Sequence, residues 1–364
     1  MSAPRLEIDL DKIEHNARTL VERLASRGIS VTGVTKATLG SPEIAHVMLL
    51  AGVSDLGDSR IENIEAMRRS NMPGKMSLIR SPMLGQAKRV VTSADVSFNS
   101  ELEAVRRLSL EARKLDRTHA VVLMVELGDL REGIMPIDLM DAVRETLSLP
   151  NIVFKGIGTN LACRSGASPD DTNMGELSRL ATLIETTFDI SLEIVSGGNS
   201  ANLQWAFGSA DTGRINNLRL GESILLGRET LHRHVIDGLH TDAITLVAEV
   251  IESKVKPTQP SGDLAQVAFG TGPVVTDRGA ITQTILAIGI QDIDPSGLSP
   301  PAGTEILGSS SDHLVTSSFN GVAVGGEMKF QINYSALLRA MTSPFVTKSF
   351  KSAFHVSSMR QIDC

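Results

Sequence analysis

Ile29-Ser30-Val31-Thr32-Gly33-Val34-Thr35-Lys36-Ala37-Thr38-Leu39-Gly40 is the stretch from which this chain is read. Residues 31–35 form a β-branched run, which predicts a strand buried on both faces, as in a parallel sheet. At its carboxyl end stands one lysine, followed by a Gly-Ser-Pro turn and a predicted helix over residues 41–50. A charged group at the end of a buried strand is costly unless it is used or reaches water. Burial lowers a lysine's pKa, which an amine needs in order to condense with a carbonyl. The other reading of Lys36 is a stem packed on the sheet rim with its head in solvent.

Outward from this strand the same unit repeats. A helix over residues 11–26, capped by Asp11, precedes it. Further strands are predicted at residues 53–56, 76–79, 96–98, 120–127, 153–158, 192–195 and 215–220. Helices near residues 60–70, 86–91, 100–115, 137–147, 170–188 and 201–207 separate them. Continuous apolar strands alternating with helices predict an α/β fold, a (β/α)8 TIM-type barrel over residues 11–238, with its working face at the strands' carboxyl ends. After about residue 240 the texture changes. Strands are expected at residues 242–255, 265–269, 281–290, 305–307, 314–318 and 327–332, divided by Gly, Pro and Asp turns. Residues 1–10 and 239–346 are therefore expected to build a mostly β carboxy-terminal domain, with residues 347–364 a loosely held tail.

Composition narrows the class. The formal net charge of the 364 residues is -7, which speaks against a nucleic-acid partner. No apolar run reaches membrane-spanning length, and Met1-Ser2-Ala3-Pro4-Arg5 lacks the apolar core of a signal peptide. Cys163 and Cys364 give no disulfide framework, and no Cys/His spacing suits zinc. A cytoplasmic protein with no metal and no membrane partner is expected. Tyr334 is the single tyrosine.

The predicted strand ends collect the polar residues. Asp58-Ser59-Arg60 follows the second barrel strand, Gly128-Asp129-Leu130-Arg131-Glu132-Gly133 the fifth and Thr159-Asn160-Leu161 the sixth. Ser196-Gly197-Gly198-Asn199-Ser200 follows the seventh, and Arg219-Leu220-Gly221-Glu222-Ser223 ends the eighth. Loops after strands seven and eight of such barrels often bind phosphate. Two glycines with Asn199 and Ser200 before a short helix can offer backbone N–H groups to an anion, or be a plain turn into a helix cap. A lysine for an aldehyde beside a phosphate cradle suggests pyridoxal 5'-phosphate. Arg219 stands where a partner for the cofactor's ring nitrogen is needed. Arginine keeps its proton, so that nitrogen stays unprotonated and the electron sink is weak. A short-lived carbanion suits racemisation better than transamination. Alternatively, Arg219 belongs to a surface ion pair with Glu222.

Taken together, these segments resemble the alanine racemase family of pyridoxal-phosphate enzymes, and within it the ornithine and lysine racemase branch. The residues that carry the resemblance include Ile8-Asp9-Leu10-Asp11, Val34-Thr35-Lys36, Gly57-Asp58-Ser59-Arg60, Gly158-Thr159-Asn160-Leu161, residues 196–200, residues 218–222, Ser310-Ser311-Asp312-His313-Leu314 and the segment from Tyr334 to Ser343. The resemblance implies a barrel plus a β domain and an amino-acid racemase acting on ornithine or lysine. It implies that Lys36 binds the cofactor's aldehyde and acts as one catalytic base. It places Asn160, Gly198, Asn199, Ser200, Arg219, Gly221 and Glu222 around the cofactor and Arg131 on the substrate carboxylate. It also implies a head-to-tail homodimer whose β domains complete each other's sites.

Two departures stand out. The family stacks a histidine on the cofactor ring where this chain has Asn160. Its second base is a tyrosine in a Gly-Tyr-Ala-Asp pattern, and here the region reads Gly289-Ile290-Gln291-Asp292. Another group must take the second face. His313 has the nearest unperturbed pKa, and Tyr334 is the alternative. A long cationic substrate also needs a distal anion, for which Asp312 and Glu222 are candidates. Asp312 could equally cap a turn, and His313 could bond the backbone. A decarboxylase of basic amino acids or a non-catalytic pyridoxal-phosphate carrier are the competing expectations.

Overall fold

The computed structural model describes residues 3–353 apart from 210, 268, 270–275, 319 and 320. By its internal contacts the chain divides into two units, residues 12–241 and residues 1–11 with 242–364.

The first unit is a closed parallel barrel. Its strands, numbered after the short β1 (Arg5–Asp9), are β2 (Ser30–Val34), β3 (Asp55–Asp58), β4 (Met76–Leu78), β5 (Val96–Asn99), β6 (His119–Met124), β7 (Ile152–Gly158), β8 (Ile194–Ser196) and β9 (Asn217–Leu220). β9 pairs back onto β2, with Val31 opposite Leu218 and Gly33 opposite Leu220. Strands β4 and β5 are buried throughout, because helices cover one face and the barrel interior the other. A bulge shifts the β6–β7 register between Val121 and Val122. It is built on Gly156, whose φ of +148 leaves a β-carbon only 1.9 Å from the Ile194 carbonyl oxygen. At the barrel's opening helix, Leu10–Ala25, the buried Asn16 donates to the carbonyls of Ile224 and His240 and accepts the His240 N–H. That side chain staples the first helix to the chain's exit from the barrel.

The second unit is a largely antiparallel sheet. Its further strands are β10 (Ile244–Pro257), β11 (Ala280–Leu286), β12 (Leu298–Ser299), β13 (Thr304–Ser309), β14 (Leu314–Ser318), β15 (Glu327–Ile332) and β16 (Thr347–Lys351). The order is β12-β15-β10-β11-β14-β13, with β1 antiparallel to β10 and parallel to β16.

Three expectations are corrected. The tail is not loose from residue 347, because β16 pairs along the whole of β1, and only residues after 353 lie outside the described part. Glu7 fastens it, taking hydrogen bonds from Lys351 at 2.8 Å and Lys329 at 2.9 Å, which hold its carboxyl down at about 2. Of the strand expected at residues 265–269, residues 265–267 and 269 are exposed and irregular, and 268 lies outside the described residues. The strand expected at residues 281–290 stops at Leu286, and Gly289 lies so close to the next turn that a β-carbon would be 2.4 Å from the Asp312 nitrogen. The Tyr334 segment, to which the sequence reading assigns no element, is a helix, Tyr334–Thr342, capped by the Asn333 side chain accepting from the Ala336 N–H.

Candidate active site

β2 hands the chain to a single 3-10 turn, Lys36–Thr38, closed by Leu39 in left-handed backbone at φ 55. The turn is clamped from β3. Thr35 Oγ1 donates to Asp58 Oδ2 at 2.8 Å, while Asp58 Oδ1 accepts the Arg60 N–H at 2.9 Å and Asn63 Nδ2 at 3.0 Å. Gly40 lets the turn press on Asn63, where a β-carbon would sit 2.9 Å from the asparagine's own. Burial pushes the Asp58 carboxyl up, and its hydrogen bonds and the nearby positive Lys36 pull it back. Lys36 is half-buried, and its ammonium makes no hydrogen bond or ion pair among the described residues. The chain thus presents an amine on a fixed turn, not hydrogen-bonded to any described residue.

The loop after β8 carries Gly198 at φ +142, where a β-carbon would fall 2.2 Å from Asn202 Oδ1. Asn199 caps the following turn by accepting the Ala201 N–H at 2.8 Å. Its amide donates to the Leu161 carbonyl at 2.9 Å and to Asn160 Oδ1 at 3.1 Å, which joins the β7 and β8 loops. The hydroxyls of Ser200 and Ser223 meet at 3.0 Å, joining the β8 and β9 loops. The Nδ2 of Asn160 is buried without a protein acceptor. A buried donor left unpaired costs about 1–3 kcal/mol, so a bound acceptor in this cradle would relieve it. The residues present therefore fit an anionic, acceptor-rich cofactor.

Arg219 lies within β9, 5% exposed. It donates to Ser196 Oγ at 2.5 Å and to the Thr159 carbonyl at 2.8 Å, and its guanidinium carbon stands 5.1 Å from the Phe98 ring centroid. Burial pushes its pKa down to about 10, so it stays charged at neutral pH. The alternative of a pair with Glu222 fails. Glu222 opens the helix Glu222–Leu226 and accepts Arg233 Nη1 at 2.6 Å, and Arg233 is held at φ 63. Burial raises the Glu222 carboxyl, while Arg233 and then Lys36 pull it back. Arg131 forms a two-pronged ion pair with Glu132, in a loop curled around the Glu126 carboxylate.

Asp312, His313 and Tyr334 belong to the β unit. His313 Nδ1 and Asp312 Oδ1 are 2.8 Å apart, and the histidine holds the exposed carboxyl below its usual range. Among the described residues no cluster of His, Cys, Asp and Glu could hold a metal ion, and no helix is long and apolar enough to cross a membrane. Sequence reasoning missed Ser196, Thr159 and Phe98 as the immediate surroundings of Arg219. The signal available was their position: each stands at or just beyond the carboxyl end of a barrel strand.

The first unit is a (β/α)8 barrel with a strand-end lysine, a loop carrying Asn199 and Ser200 and a buried strand arginine, and the second is a β unit. The chain belongs to the alanine racemase family, whose model for the alanine racemase amino-terminal domain matches residues 8–228. An ornithine racemase of Acetoanaerobium sticklandii is 39% identical over 351 residues, spanning 95% of this chain and 99% of the relative. A lysine racemase of Thermotoga maritima is 38% identical over 354 residues, spanning 96% and 99%. In fold, the chain is similar to an alanine racemase of Streptomyces lavendulae, with a TM-score of 0.77 at 19% identity over 96% of this chain and 98% of that one. A D-threonine aldolase of Filomicrobium marinum shares the fold at a TM-score of 0.72 and 15% identity, covering 94% and 89%.

Proposed function

We propose that this chain is a pyridoxal-phosphate-dependent racemase that interconverts the L and D forms of basic amino acids, ornithine and lysine foremost. The observation that carries the reading is near-full-length similarity to two racemases named for diamino acids. The free amine of Lys36 and the buried charge of Arg219 support it chemically. When bound, the cofactor supplies the electron sink that makes the substrate's Cα–H acidic.

The chain's own residues divide the remaining work. Lys36 holds the cofactor's aldehyde carbon and moves a proton at Cα on one face. Gly198, Asn199, Ser200, Gly221 and Glu222 frame the phosphate, with Asn160 offering its unpaired amide. Arg219 donates to the ring nitrogen and keeps it unprotonated, which favours prompt return of the proton. Arg131 takes the substrate carboxylate in exchange for Glu132. Glu222 is held by the permanent charge of Arg233, so Asp312, which is exposed and bonded through Oδ1 to His313, is the proposed distal anion for a substrate ammonium. The second base, His313 or else Tyr334, comes from a second copy of the chain in a head-to-tail homodimer, and the enzyme works in the cytoplasm.

The test is a panel of L-amino acids incubated with purified protein and resolved by chiral chromatography. D-ornithine and D-lysine should accumulate faster than D-alanine, and the protein should carry the visible absorption band of bound pyridoxal phosphate. A colourless protein that yields no D-product from any substrate overturns the reading.

A further inference from the structure

Arg219 is a buried cation whose two hydrogen-bond partners are a hydroxyl and a backbone carbonyl, with no carboxylate in hydrogen-bond contact among the described residues. A charge buried in that way is expensive unless it is compensated. The compensation runs through the barrel interior. Arg219 Nη1 donates to Ser196 Oγ at 2.5 Å, and Ser196 Oγ donates to Asn217 Oδ1 at 2.6 Å. Asn217 Nδ2 donates to Thr32 Oγ1 at 3.0 Å, and Thr32 Oγ1 donates to Asp55 Oδ1 at 2.7 Å. The other carboxylate oxygen of Asp55 accepts Ser77 Oγ at 2.8 Å. Arginine can only donate and an ionised aspartate can only accept, so every link is forced to point the same way, from cation to anion. Hydrogen bonds aligned head to tail polarise one another in a low-dielectric interior. Ser196, Asn217 and Thr32 are all buried, so water does not compete with the chain of donors.

We infer that Asp55 is a positioning residue for Arg219: through Thr32, Asn217 and Ser196 it fixes the orientation and charge of the guanidinium that would meet the cofactor's ring nitrogen. Asp55 stands at the end of a relay of four hydrogen bonds from Arg219, so its part is indirect. It opens β3, at the amino-terminal end of the barrel strands, opposite to the end that carries Lys36. The inference rests on the pyridoxal-phosphate reading of the site, and it adds a carboxylate at the far end of the barrel to that site's machinery.

The experiment measures the dissociation constant of pyridoxal phosphate from the apoprotein by absorbance titration, together with the ratio of side transamination to racemisation in the holoenzyme. Asp55→Asn keeps the shape and removes the charge, and Thr32→Val cuts the relay in its middle. Each should weaken cofactor binding by about threefold to tenfold and raise the transamination fraction. Thr32→Ser, which keeps the hydroxyl, should restore both. Because the two sites act in series, the double variant should be no worse than either single one. Normal cofactor affinity and an unchanged partition in Asp55→Asn overturn the inference, as do effects of Asp55→Asn and Thr32→Val that simply add. Should Thr32→Val not fold, the near-isosteric Asp55→Asn and Thr32→Ser variants still decide. A wild-type protein that binds no pyridoxal phosphate would instead remove the cofactor reading itself, which is a separate and recognisable outcome.

Discussion

The hydroxyl of Thr35 donates to the carboxylate of Asp58 at 2.8 Å, which fastens the turn carrying Lys36 to the end of the neighbouring barrel strand. Asp58 is completely buried and serves three donors at once. Removing it leaves the Arg60 N–H and the Asn63 amide unpaired, so Asp58→Ala should cost about 2–4 kcal/mol of stability. Thr35→Val removes one donor only and should cost about 1 kcal/mol. Its larger effect should fall on turnover, about tenfold or more, because a lysine on a loosened turn is misplaced. Thermal denaturation and kcat, measured side by side, separate the two effects. Full kcat in Thr35→Val would mean that the clamp does not position Lys36.

Lys36→Ala should abolish both the visible absorption band and the activity. Its ammonium makes no hydrogen bond or ion pair among the described residues, so the fold should barely notice the loss, with stability changed by about 0.5 kcal/mol or less. A coloured, active variant would take Lys36 out of the chemistry.

Much of this was legible in the chain, and the limits have physical causes. Barrel strands covered on both faces read as apolar runs, so the alternation of strands and helices is visible in sequence. Lys36 and Arg219 stand out because they interrupt such runs at their carboxyl ends. Asp58 is expected just after the second barrel strand, yet it is the last residue of β3, and three hydrogen bonds offset its burial. Asp55, Thr32 and Asn217 look like ordinary strand-boundary polar residues. Only closure of the barrel, which brings β9 against β2, makes Asn217 a neighbour of Thr32. The Glu222–Arg233 pair depends on a left-handed arginine, which no local pattern announces.

His119 gives a pH dependence with a defined sign. It is buried in β6 beside Ser97, 2.8 Å from its hydroxyl, and burial pushes its pKa down to about 4 from an ordinary 6.5. Between these values the unfolded chain binds a proton that the folded chain refuses. Stability from this group is therefore complete above pH 6.5 and is lost as pH falls towards 4, by about 3 kcal/mol in all. His119→Gln should flatten the dependence of the unfolding free energy across that window relative to wild type. Parallel curves for the two proteins would show that His119 is not the group that titrates.

Arg219→Glu should convert the ring-nitrogen partner from a donor that keeps its proton into an acid that can give it up. Protonation of that nitrogen strengthens the electron sink and lengthens the life of the carbanion, so side transamination should rise relative to racemisation. Overall turnover should fall, since the variant also forfeits the bonds to Ser196 and the Thr159 carbonyl. An unchanged partition between the two reactions would argue against Arg219 as the ring-nitrogen partner.

The second base is the remaining assignment. Racemisation is easiest with one proton-transfer group on each face of the planar carbanion, because the site holds the substrate still while protons leave and return on opposite sides. In the proposed function Lys36 serves one face, and the aliphatic Ile290 cannot serve the other. His313 is held by Asp312 at its Nδ1, which leaves Nε2 as the nitrogen that can exchange a proton. Such an aspartate-oriented imidazole is a better base than the phenol of Tyr334, whose ordinary pKa is about 10. His313→Ala should therefore slow solvent-deuterium incorporation at Cα strongly for one substrate enantiomer and weakly for the other, by a ratio of about 10²–10⁴ if the full contribution of a general base is lost. Tyr334→Phe should leave the two enantiomers alike. The opposite pattern, with asymmetry in Tyr334→Phe and wild-type exchange in His313→Ala, would transfer the role to the tyrosine.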